Sequence, residues 1–158
     1  MKTEKKFDNR KAKFEYELQT SFTAGMILSG WMVKPLINGD FSFIDSYAFV
    51  KNGEVYLHGL NITKTKHTFD FDALKKSNDN IKLLLNKSEI NKIAIAVKVN
   101  GITLIPVSII YGASTNNKLK IVIAIAKGKK LFDKSKAIKS RDLSRESNRE
   151  IKHGKRST

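Results

Sequence analysis

Three arginines at four-residue intervals, Arg141, Arg145 and Arg149, are the side chains whose type and spacing suggest chemistry first. A helix would line them along one face, about 6 Å apart. Guanidinium groups bind phosphate bidentately and stack on bases, which lysine does poorly. The chain holds 25 Lys but five Arg, and four of those Arg fall in the last 18 residues. Lys127 to Thr158 carries twelve Lys or Arg against four Asp or Glu, so 32 residues hold +8 of the net +15. That pattern favours RNA over a basic tail with no fixed partner.

Residues able to run a covalent reaction are sparse by comparison. On a strand, the carboxylates of Asp70-Phe71-Asp72 would point the same way and would suit Mg²⁺ in a nuclease. The simpler reading is a solvated loop pair. His58, His67 and His153 are scattered with no Ser or Asp partner at a recognisable motif, so acid–base catalysis has no constellation behind it. Zero Cys removes disulfides, thiolate metal sites and cysteine nucleophiles together, and fits a reducing compartment. The expectation is a binding protein, not an enzyme, with no cofactor and no metal.

Residues 14–126 must then form the body that positions the basic segments. A body of that size folds without staples. No apolar run approaches the roughly 18 residues that span a bilayer, and MKTEKKFDNRKAK has no apolar signal core, so a cytoplasmic protein is expected. Residues 1–13 read as a flexible basic arm, and residues 127–158 as a tail that is disordered alone and folds on a polyanion. Phe14 to Thr20 alternates like a half-buried antiparallel strand. Trp31 to Ile37 suits a short helix stopped by Asn38-Gly39, with Pro35 early in it. Ile44 to Val50 and Glu54 to Ile62 flank Lys51-Asn52-Gly53, a strong hairpin signal. Thr63 to Asn80 reads as a long loop. Ile81, Leu84 and Leu85 suggest a short helix, and Ile90, Ile93, Ala94 and Val97 a second one capped by Ser88 and ended by Gly101. Ile102 to Tyr111 and Lys118 to Ala126 are two further strands. About six short strands with three small helices make a mainly β, OB-like antiparallel barrel the economical architecture.

Six blocks in this order and spacing resemble the SsrA-binding protein family, also called small protein B: Asn9-Arg10-Lys11-Ala12, Gly30 to Lys34, Asp45 to Val55, Lys82 to Ile90, Gly101 to Pro106, and Ala126 to Lys134. The resemblance runs from about Asn9 to Arg149. It implies a barrel that clasps the tRNA-like domain of transfer-messenger RNA (tmRNA). It also implies a tail that turns helical in the empty mRNA channel of a stalled ribosome, past the small-subunit decoding centre. Alanyl-tmRNA would be delivered with elongation factor Tu and GTP for trans-translation, the tagging of incomplete proteins.

Carried over by position, Arg10, Lys11, Trp31, Lys34, Asn38, Lys82 and Asn86 would face tmRNA. Lys127, Lys129, Lys130, Asp133 and Lys134 would lie at the decoding site, with Lys139, Arg141, Arg145 and Arg149 tracking the channel. The chain departs from the family's usual pattern at Met32, where relatives carry a glutamate, and at Ser135, where an arginine is usual. Two other readings stand beside this one. Trp31 reads first as a packed aromatic and second as a stacking group, and the runner-up reading of the protein is a general OB-fold RNA-binding or ribosome-associated protein without preference for a tRNA-like fold.

Overall fold

The computed structural model describes residues 4–64, 80–130, 138–139 and 141–145. Within them the strands are β1 (Lys5–Asp8), β2 (Tyr16–Met26), β3 (Phe41–Ser42), β4 (Tyr47–Lys51), β5 (Glu54–His58), β6 (Asn61–Ile62), β7 (Ile81–Leu84), β8 (Ile102–Tyr111) and β9 (Lys120–Gly128). The helices are α1 (Arg10–Glu15), α2 (Gly30–Asn38) and α3 (Lys87–Ala96), with a short 3₁₀ turn at Ala113–Thr115. Asp70, Phe71, Asp72, His67, His153, Asp133, Lys134 and Arg149 lie outside the described residues, so the carboxylate pair raised above has no geometry here.

The main sheet runs β1-β8-β4-β5-β7-β2-β9, and β9 pairs back onto β8. Six strands, β8, β4, β5, β7, β2 and β9, therefore close into an antiparallel ring, the OB-like barrel expected from the sequence. Alternation along each strand sends one set of side chains inward. Val55, Leu57, Leu83, Leu104, Ile109, Ile121 and Ile123 are all almost fully buried there. The β4–β5 hairpin is as expected, with Lys51 opposite Glu54 and both Asn52 and Gly53 at positive φ. β3 and β6 form a separate two-stranded sheet.

Two expectations are corrected. Within the expected arm of residues 1–13, residues 5–8 form β1 and residues 10–13 begin α1, which runs on to Glu15, so the strand expected from Phe14 starts at Tyr16. β1 pairs with the second half of β8, Lys5 opposite Tyr111 through Asp8 opposite Ser108, where β4 has left that edge. Phe7 sets its ring edge-on to Phe41 at 5.5 Å. Asn9 then locks the junction. Its Nδ2 donates to the Pro106 carbonyl at 2.9 Å, its backbone N–H to Val107 at 2.7 Å, and its Oδ1 accepts from the Ala12 N–H at the start of α1. Those contacts coincide with the irregularity in β8 between Pro106 and Ser108, where a proline cannot donate to the ladder.

Secondly, Ile81 to Leu84 is a strand, not a helix, because β5 and β2 pair it on both sides. The following helix is accordingly capped by Asn86 and not Ser88. Glu89 accepts from the Asn86 N–H at 3.0 Å, the reciprocal half of a capping box.

Candidate nucleic-acid interface

Helix α2 presents Trp31, Lys34 and Asn38 on one side, since spacings of three and four residues return to the same face. Met32, Pro35 and Leu36 point the other way and are buried. Lys34 and Asn38 are exposed, whereas Trp31 is half-buried and packs against the core. The packed-aromatic reading of Trp31 thus accounts for much of its ring. Met32 is only 6% exposed, so at this position the chain contributes to the core and offers no polar group to a ligand. Pro35 is the sixth residue of α2, not an early one, so it supplies no N–H to the Trp31 carbonyl one turn back. Gly39 terminates it at φ +86°, and Lys5 Nζ donates to the Ile37 carbonyl at 3.1 Å, a cation at the negative end of the helix dipole.

Lys82 and Asn86 lie in a groove of 580 Å³ that Lys87 and Lys120 also line. Lys82 is not a free cation. Its Nζ lies 2.5 Å from Glu54 Oε1, and Tyr56 donates its hydroxyl to Glu54 Oε2 at 2.8 Å. The hydrogen bond from Lys82, then that from Tyr56, holds the Glu54 carboxyl below its ordinary range, while the same bonds raise Lys82 and Tyr56. A carboxylate held low stays paired until acid reaches its lowered value. The contribution of Glu54 to the folded state is therefore complete above the ordinary carboxylate range and fades as pH falls through the lowered one. Its exposure to solvent keeps that contribution small.

Glu54→Gln should release Lys82 for phosphate and remove one negative charge. The expected result is several-fold tighter RNA binding, with the slope of log affinity against log salt steeper by up to about one unit. A salt titration checks this, and an unchanged slope would mean Lys82 does not reach RNA.

A second, apolar groove of 430 Å³ runs between α2 and the barrel, lined by Val33, Ile37, Leu84, Lys118 and Lys120. Both grooves share Gly25, Leu84 and Lys120, so α2 and the β7–α3 junction flank one continuous surface. Lys34 and Lys87 are exposed and have no carboxylate within ion-pair distance among the described residues.

On α1, Arg10 and Lys11 are exposed, with Lys11 3.8 Å from Glu15. Lys11 lines a different pocket of 250 Å³, together with Tyr16, Ser46 and Tyr47. The root of the basic tail lies against the same helix. Lys127 belongs to β9, opposite Glu17 of β2, and not to the tail. Lys129 donates its N–H to the Glu15 carbonyl at 2.9 Å and its Nζ to Lys13 at 3.1 Å, so its ammonium serves the end of α1. Residues 138–139 and 141–145 are helical and exposed, which puts Lys139, Arg141 and Arg145 in solvent. Arg141 also stands over the Phe14 ring at 5.5 Å.

The sequence model of the SmpB protein family matches residues 6–153. This chain belongs to the SmpB protein family.

Other members share its extent. The SsrA-binding protein of Acetivibrio thermocellus is 42% identical over 146 residues, covering 91% of this chain and 90% of that one. That of Stenotrophomonas maltophilia is 38% identical over 152 residues, covering 94% and 86%. A chain of the solved structure called "tmRNA-SmpB: a journey to the center of the bacterial ribosome" superposes with a TM-score of 0.66 at 30% identity, covering 84% of this chain and 94% of that chain.

Against the SmpB resemblance, the seven expected tmRNA contacts fall in three places: α1, α2 and the β7–α3 groove. The apolar groove links the β7–α3 groove to α2 through Val33 and Ile37, a different face of that helix from Trp31, Lys34 and Asn38. No lining residue joins the α1 pocket to either groove. The sequence reading missed Lys120, which stands at the junction of the two grooves, and Glu54, which occupies Lys82. Neither carries a local signal, because strand pairing over long separations brings them in. No described helix is long and apolar enough to cross a membrane.

Proposed function

We propose that this chain binds the tRNA-like domain of tmRNA and carries alanyl-tmRNA to stalled ribosomes, where it supports trans-translation. The observation that carries this reading is the family match over residues 6–153, which spans the barrel and the arginine-bearing segment alike. Trp31, Lys34 and Asn38 on the outer face of α2 and Lys82 and Asn86 in the β7–α3 groove would hold the RNA elbow, with Arg10 and Lys11 reaching it from α1. A folded RNA is read by shape, by 2′-hydroxyl and phosphate contacts and by stacking on unpaired bases. A half-buried indole between exposed Lys and Asn side chains suits that mode.

Residues beyond β9 form the second part of the proposal. Lys130, Asp133 and Lys134 would meet the decoding centre of the small subunit, and Lys139, Arg141, Arg145 and Arg149 would follow the empty mRNA channel. Lys127 and Lys129 would set the direction in which that segment leaves the barrel, through β9 and α1. Elongation factor Tu with GTP is reached through the charged tmRNA, in the cytoplasm. The chain itself performs no covalent step, and its contribution is positioning and charge.

Competition at about 150 mM salt tests the reading. Labelled tRNA-like domain bound to the protein is challenged with elongator tRNA and with an unstructured RNA of equal length. Retention against both competitors is expected. Displacement by both competitors as readily as by unlabelled tRNA-like domain would reduce the protein to a general electrostatic RNA binder.

A further inference from the structure

The outer face of the β4–β5 hairpin carries four rings outside the core and outside both grooves, of which Tyr47 alone also borders the Lys11 pocket. Tyr47 and Phe49 on β4 stand opposite His58 and Tyr56 on β5. Between them, inward-pointing Ala48, Val55 and Leu57 are buried, so alternation sends all four rings outward. Tyr47 lies 5.2 Å from His58 and 6.2 Å from Phe49, and Phe49 stacks on Tyr56 at 5.8 Å with 24° between planes. Tyr47 is 44% exposed, and the other three rings are half-buried. Large apolar rings are seldom gathered on a barrel's outside unless something covers them.

The surroundings say what that is. Lys51 continues the outward series of β4 and is exposed, and Lys82 stands beside Tyr56 in the β5–β7 register. Glu54, the carboxylate at that end, is already held by Lys82 and Tyr56. Asp45 remains at the other end, before Tyr47. His58 shares a hydrogen bond of 2.7 Å with Asn80, placing an imidazole and an amide at the rim where base edges would lie. Rings in a row on adjacent strands, the exposed Lys51 alongside, a Glu54 charge cancelled by Lys82 and a net charge of +15 match single-stranded nucleic acid, whose bases stack on aromatic side chains while its phosphates follow the charge.

We infer that Tyr47, Phe49, Tyr56 and His58 form a stacking platform for unpaired RNA bases, separate from the surface that clasps a tRNA-like fold. Two or more splayed bases are the class of ligand.

Two measurements on the full chain test this. A labelled oligouridylate of about ten nucleotides is bound at several salt concentrations to the wild type and to Phe49→Leu/His58→Leu, which leaves the Lys11 pocket untouched. Affinity should fall by about tenfold or more with the salt slope unchanged, since stacking and not phosphate contact is removed. Binding of the tRNA-like domain should stay near wild type. In parallel, ring resonances of Tyr47 and Phe49 in the wild-type chain should shift on titration with the oligomer, a readout that holds even if the variant folds poorly. Wild-type affinity in the variant, ring resonances that stay in place at saturation, or equal loss for the oligomer and the tRNA-like domain would each overturn the assignment.

Discussion

Replacing Arg141, Arg145 and Arg149 together by Gln should leave the tRNA-like domain bound within about threefold while peptide tagging falls to background. Glutamine keeps the length and helix preference of the side chain but not its charge or its bidentate fork. Lost contacts to three phosphates would lower the salt slope for the ribosomal interaction by about two units, at roughly 0.7 per contact to single-stranded RNA. Arg141 would also leave the Phe14 ring, a contact at an exposed site worth about 0.5–1 kcal/mol. Neither Arg141 nor Arg145 lines a barrel groove, which is why the two activities should separate. An extract translating an mRNA without a stop codon, probed for the tag, gives the first readout, and gel shift with the isolated domain gives the second. If the variant lost the tRNA-like domain as well, the division between barrel and tail would be wrong.

Asn9→Ala should be the costliest polar substitution in the barrel, destabilising the fold by about 2–4 kcal/mol. The side chain is 9% exposed and works at both ends. Losing the N-cap acceptor for Ala12 costs about 1 kcal/mol, and stranding the Pro106 carbonyl costs about 1–3 more. Asn9→Ser separates the two, because serine restores the cap but does not reach the carbonyl. It should recover about 1 kcal/mol of the loss. Thermal unfolding followed by circular dichroism would read the alanine effect as a drop of roughly 10 °C. A drop of only one or two degrees would mean that the junction between β1, α1 and β8 holds without Asn9. Because Arg10 and Lys11 follow it directly, RNA binding should weaken in step with the loss of α1.

What the sequence revealed and concealed follows from the distance over which each element is decided. The Asn52-Gly53 hairpin and α2 were legible because turn chemistry and a short apolar face settle them locally. The cap of α3 was misread, because Ser88 competes as a local cap signal with the box Asn86-Lys87-Ser88-Glu89 that the structure uses. Ile81 to Leu84 misled because leucine favours a helix alone, and only pairing with β5 and β2 makes it a strand. β1 looked like a loose basic arm because its partner, β8, lies about a hundred residues away. The same limit applied to the interface. The face of α2 could be read from its spacing, whereas the Glu54–Lys82 ion pair joins residues 28 apart in sequence. The alternate rings of Tyr47, Phe49, Tyr56 and His58 read simply as strand until their register set them side by side.

Pairing of β2 with β9 also has a bearing on how the molecule comes into being. Tyr16 meets Gly128, and Gly25 meets Lys120, so the ring closes across nearly the whole length of the barrel. Contacts at such separation are slow to form because the loop entropy comes before the reward. During synthesis β2 emerges early and waits with an unpaired edge until residues 120–128 are made, and β8, with its run ITLIPVSIIY, waits beside it. A nascent chain halted before that point would expose two apolar strand edges with nothing to cover them, the ordinary starting point for aggregation. In the finished barrel, β1 instead presents four residues as its outer edge, Lys5, Lys6, Phe7 and Asp8, and three of them are charged.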